Sequence, residues 1–72
     1  MSTFSYDGEA DAAYLGFGTI EAGESTRQVP LALPDGVRGE VILDFDADGH
    51  LLGVEILQAS ALLRPRDLER GQ

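Results

Sequence analysis

Four carboxylates in the C-terminal half of the chain have a spacing that could hold a hard cation. Asp44, Asp46 and Asp48 alternate with other residues, Gly49 follows, and Glu55 comes later. Counted from Asp44, the acids fall at positions 1, 3, 5 and 12 and the glycine at 6. Calcium loops of the EF-hand type use that pattern, because a hard cation takes several oxygens and the glycine allows a sharp turn. Helices should flank such a loop. Here the flanks are Val41-Ile42-Leu43 and Leu51-Leu52-Gly53-Val54-Glu55-Ile56-Leu57, which alternate like strands. Position 9, where a polar group would bind, is Leu52. Strand pairing would also carry Glu55 up a hairpin, away from Asp48. We expect an acidic hairpin tip and no metal site, with Asp44, Asp46, Asp48 and Glu55 as weak candidates. A divalent-metal (calcium) binding module is the alternative.

Asp7, Glu9 and Asp11 form a second acidic cluster. It could join the first in a magnesium site, but short acids in a turn more often bond nearby amides. Nucleophilic catalysis needs a positioned nucleophile and base. The chain has no cysteine and no lysine, and its lone histidine, His50, sits at the expected tip. Paired carboxylates could do acid–base work. A domain this small would struggle to enclose a ligand pocket of about 300 Å³ or more. We expect no enzyme, no catalytic residue and no cofactor. Tyr6, Tyr14, Phe4, Phe17 and Phe45 read as core.

The elements that position these residues follow from periodicity. Phe4-Ser5-Tyr6 alternates and reads as a first strand; Asp7 to Asp11 reads as a turn. Residues Ala13 to Ile20 read as a second strand, weakened by Gly16 and Gly18. A polar loop runs from Glu21 to Thr26. Val29 to Leu33 alternates as a third strand, and Pro30 demotes it to an edge. Pro34-Asp35-Gly36 signals a turn.

Residues 40–57 give the clearest pattern, two alternating runs around Asp48-Gly49, a strong hairpin signal. With Asp48-Gly49 as a two-residue loop, Phe45 faces Leu52, Leu43 faces Val54 and Val41 faces Ile56. A one-residue slip would set Leu43 against Gly53 and Val41 against Glu55. Burial therefore favours an even loop length. The hairpin's second face mixes Ile42, Leu51 and Leu57 with Asp44 and Glu55, so something should cover it. Ile42, Leu51, Leu57 and Leu62 are the candidate interface. Gln58 to Leu63 reads as a helix with Ser60 as its cap, interrupted by Pro65.

Length and charge bound the remaining choices. The 72 residues suit a single domain, 1–72, whose core is marginal without a disulfide, a metal or a partner. With cysteine absent, self-association is the remaining staple, and we expect a homodimer. The net charge is −8, with all five basic residues arginine. Residues 1–60 carry −9 and residues 61–72 carry +1. Such a body repels phosphate backbones, so we expect no direct nucleic-acid binding. It could attract a basic protein, or serve solubility alone. The N-terminus has no basic, apolar export signal, and no apolar run approaches the ~20 residues of a membrane span. A cytoplasmic location with no membrane contact is expected.

Two blocks together carry a resemblance. The first is Tyr6-Asp7 followed by Glu9, Asp11 and Tyr14. The second is Asp44, Asp46, Gly49, Gly53 and Glu55 within Leu43–Leu57. In this order the chain resembles the prokaryotic domain-of-unknown-function family 2283. It departs from that pattern at Phe45, where tyrosine is usual, and at His50, where arginine or lysine is usual. Ala13 and Gly16 also replace larger residues. The resemblance implies a small β-rich domain with a C-terminal helix and no established activity. Similar proteins encoded beside small toxin-like proteins imply an antitoxin-like role. The overall expectation is an α+β fold, a small antiparallel sheet of three to five strands with the hairpin near 40–57 and a short C-terminal helix. Its expected role is a non-catalytic, homodimeric interaction domain.

Overall fold

A computed structural model describes residues 2–72. Five strands form one antiparallel sheet: β1 (Thr3–Asp7), β2 (Ala12–Gly16), β3 (Arg27–Pro30), β4 (Glu40–Phe45) and β5 (Leu51–Leu57). Two short helices follow, α1 (Ala59–Leu62) and α2 (Pro65–Glu69). The sheet order is β1-β2-β5-β4-β3, so the β4–β5 hairpin inserts β5 between β2 and β4. This is the expected α+β layout.

Directly opposed residues share a face of the sheet. One row across all five strands is Phe4, Leu15, Val54, Leu43 and Val29. A second row on that face is Tyr6, Ala13, Ile56 and Val41. The other face carries Ser5, Tyr14, Glu55, Ile42 and Pro30, and beside them Thr3, Gly16, Gly53, Asp44 and Gln28. The sheet thus has an apolar face and a polar face.

The hairpin keeps two of its three expected pairs, Leu43 with Val54 and Val41 with Ile56. The third is corrected: Phe45 opposes Leu51, not Leu52. The loop is odd, not even. The Asp46 amide donates to the His50 carbonyl at 3.0 Å and the Gly49 amide to the Asp46 carbonyl at 3.1 Å. Gly49 takes φ 87, the left-handed conformation that three-residue hairpin loops place at their last position. That loop alone would put the hairpin out of phase by one residue. A bulge opposite Asp44/Phe45 adds one residue to β5 and restores the apolar pairing.

Other boundaries shift for local reasons. β2 stops at Gly16, short of the expected Ile20, opposite the first residue of β1. The Phe17 amide still donates to Leu52 at 3.0 Å, and β1 begins at Thr3. β3 begins at Arg27 and ends at Pro30, earlier than expected, and it is the edge strand that Pro30 suggested. Ser60 is not the cap of α1. Gln58 occupies that position in a left-handed conformation with no side-chain bond. Pro65 does interrupt the helix, and it then opens α2 at a position where its missing amide costs nothing.

Candidate functional site

Three carboxylates organise the polar groups of the chain. Asp44 is 7 % exposed on the polar face. Its Oδ2 accepts from the Tyr14 hydroxyl at 3.0 Å and its Oδ1 from the Ser25 hydroxyl. Tyr14 starts on β2 opposite Glu55 and reaches Asp44 on β4 by crossing over β5 at Gly53. The crossing needs a residue without a side chain. A β-carbon at Gly53 would collide with the Tyr14 hydroxyl and lie 2.6 Å from the Leu15 carbonyl oxygen. Burial, and then the bond to Asp44, push the Tyr14 hydroxyl up to about 12. It is therefore a fixed donor at neutral pH.

Asp11 does a different job. It adopts φ 51, a left-handed conformation that short acids tolerate. Its carbonyl accepts the Ala59 amide at 2.9 Å, and its carboxylate accepts the Ser60 amide at 2.9 Å and the Ser60 hydroxyl at 2.7 Å. These are first-turn donors of α1 that have no partner within the helix. The cap that the local sequence lacks is thus supplied from the β1–β2 turn. The Tyr6 hydroxyl also donates to Asp11, at 2.8 Å. The Ser60 hydroxyl and then Tyr6 hold the Asp11 carboxyl below its usual range, and the same bond raises Tyr6.

At the tip, Asp46 Oδ1 accepts from the amides of Asp48 at 3.0 Å and His50 at 2.8 Å. Its Oδ2 lies 3.2 Å from His50 Nδ1. The His50 amide bond is the main cause that lowers the Asp46 carboxyl. Asp46, Asp48 and His50 place ligand atoms within 4.8 Å of one another. The EF-hand-like set is divided differently. Strands, not helices, bracket it, Asp44 is engaged by Tyr14 and Ser25, and Glu55 pairs opposite Ile42 within the sheet. Asp7 bonds turn amides as expected, accepting from Glu9 at 3.0 Å and Ala10 at 3.5 Å.

The candidate interface residues divide between the two faces. Ile42 and Leu57 lie on the polar face beside Glu55 and Glu40. The bulge sets Leu51 opposite Phe45, with the apolar face. Leu62 lies over Gly39. The pattern gave no sign of Ser25, whose partner is 19 residues away. Gly53 was marked by the pattern, and a glycine inside a strand is itself a signal of close approach.

Among the described residues no buried polar side-chain atom lacks a partner, and no helix is long and apolar enough to cross a membrane. Two open clefts of about 330 Å³ lie on the surface. One is lined by Phe4, Leu63, Asp67 and Arg70; the other by Arg27, Val29, Leu43, Phe45 and Gly49.

The fold is thus a five-stranded antiparallel sheet with two C-terminal helices, tied by internally bonded tyrosines and aspartates. The family model described as "Protein of unknown function (DUF2283)" matches residues 3–60, and the chain belongs to that family. No curated protein and no solved structure matches it. The matched region contains Tyr6, Asp11, Tyr14, Asp44 and Gly53, which all hold the fold together in this chain.

Proposed function

We propose that this chain is a non-catalytic interaction domain of the cytoplasm, which pairs with a second copy of itself and offers its acidic surface to a basic protein. The observation that carries this reading is how little the single chain buries. Ala13 and Ala59 are its only buried apolar residues among those described, and no large side chain is fully enclosed. Phe17, Val29, Leu31, Val37 and Leu51 stay exposed. A chain of this size with no disulfide gains most from association. The carboxylates favour a basic protein over nucleic acid.

The tyrosine–aspartate pairs support a structural role. Tyr14 holds its proton more firmly than free tyrosine, and both oxygens of Asp44 are engaged by donors from within the chain. A divalent-cation module has one supporting feature, the tip trio Asp46, Asp48 and His50. Against it, Asp46 Oδ1 already accepts two turn amides and its Oδ2 lies against the His50 ring.

Light scattering at micromolar concentration tests the first half of the proposal, and a stable, folded monomer would overturn it. Co-purification with the product of the adjacent gene tests the antitoxin-like version of the second half. Failure to co-purify removes that version.

A further inference from the structure

We infer that two copies pair face to face through the β3–β4 side of the apolar face, around Val29, Leu31, Leu43 and Phe45. This rests on the self-association proposed above and assigns it a surface.

Area is the first argument. A compact monomer of 7.7 kDa should expose about 4,300 Å². The chain exposes 5156 Å². The surplus, about 800 Å², equals what one partner contributes to a standard interface.

Placement is the second. The C-terminal segment packs at the β1 end of the sheet. A β-carbon on Gly71 would lie 2.7 Å from the Phe4 ring and 2.8 Å from the Tyr6 amide, although the cleft between Phe4, Leu63, Asp67 and Arg70 stays open beside them. Among the described residues, Leu62 reaches the start of β4 at Gly39, and the stretch around Val29 and Leu31 has no such cover. There Val29 is 37 % and Leu31 44 % exposed, beside the open cleft that Leu43 and Phe45 line.

The sheet edges are less suited to pairing. At β1 the Tyr6 amide is already taken by the Gly71 carbonyl at 2.8 Å. At β3 the Leu31 amide donates inward to Val41 at 2.9 Å, so the neighbouring Pro30 falls at an outward position and removes one donor from the outer edge. Both features blunt edge-to-edge addition.

Charge selects the occupant. A twofold interface places a patch against its own copy, so the patch must be self-complementary. The cleft lining has one charged side chain, Arg27, and no carboxylate. Asp44 and Glu55 lie on the other face. A basic protein would set further positive charge against Arg27 here, whereas a second copy meets apolar surface with apolar surface and brings only its own exposed Arg27.

Sedimentation equilibrium of the wild type, Val29→Glu and Gln28→Glu tests this, with folding checked by circular dichroism. Val29→Glu should raise the dimer dissociation constant about ten-fold or more, because the twofold sets two new carboxylates in the apolar contact and Arg27, the one cation that lines it, is exposed. Gln28→Glu, on the same strand but the opposite face, should leave it unchanged. A monomeric wild type would remove the self-association reading and this inference with it. A dimeric wild type whose Val29→Glu variant stays dimeric would overturn the assigned surface alone. Should Val29→Glu fail to fold, isotope-filtered NOEs in a mixture of labelled and unlabelled wild type decide. Contacts between copies at Val29, Leu31 and Phe45 support the surface, and contacts confined to Ile42 and Leu57 overturn it.

Discussion

The Tyr14 hydroxyl donates to Asp44 at 3.0 Å across the bare backbone of Gly53, joining β2 to β4 over β5. One side chain thus ties β2 to the β4–β5 hairpin, which is distant from it in sequence, and only because the middle strand yields space.

Gly53→Ala should therefore destabilise the chain by about 1–3 kcal/mol, the usual range for overpacking. The Leu15 carbonyl obstructs the new methyl as well as Tyr14 does, so Tyr14→Phe should not rescue the variant. Urea unfolding midpoints of the two single variants and the double variant check this.

Tyr14→Phe alone should cost about 1–3 kcal/mol, because Asp44 stays buried with one donor fewer. Ser25→Ala removes the other donor. The two changes share one carboxylate, so their effects should not add. A double-mutant cycle in urea measures the coupling, and strict additivity would refute the shared-carboxylate account.

Stability should fall at both ends of the pH range. The Asp11 carboxyl is held below its ordinary 3.8 by Ser60 and then Tyr6. Its contribution is complete above that value and is lost as pH falls through the lower folded-state value. Asp11→Asn, which keeps a side chain tolerant of the left-handed backbone, should show a shallower acid limb in thermal melts. Tyr14 is raised from 10.0 to about 12, so its contribution is complete below pH 10 and is lost between the two values. Tyrosinate absorbance should show one tyrosine titrating near the upper value, and Tyr14→Phe should remove it.

Excess calcium, compared with chelator, should leave the melting temperature unchanged. The spacing that suggests a calcium loop is divided between a buried, bonded Asp44, a turn-forming Asp46 and a strand residue, Glu55. A rise in melting temperature with calcium would restore the cation-binding alternative.

The hairpin and its two inner pairs were legible because Val41, Leu43, Val54 and Ile56 alternate, and a slip would bury Glu55. The tip misleads because a three-residue loop and a bulge cancel, and the sum of two irregularities looks like regularity. The link from Tyr14 to Asp44 spans 30 residues and depends on β5 inserting beside β2, a strand order that alternation does not encode. Asp11 as the donor-satisfying group of α1 was hidden similarly, since Ser60 offered a local cap and the structure uses a distant one. The candidate interface followed the regular register, and the bulge moved Leu51 out of it.

The cancelling loop and bulge also constrain how this chain can change in length. Removing one residue from the Ala47–Gly49 loop would turn the strand beyond it inside out unless the extra residue of β5 went too. Deletions in these two places should therefore survive only as a pair, and relatives with shorter tips should have straight fifth strands.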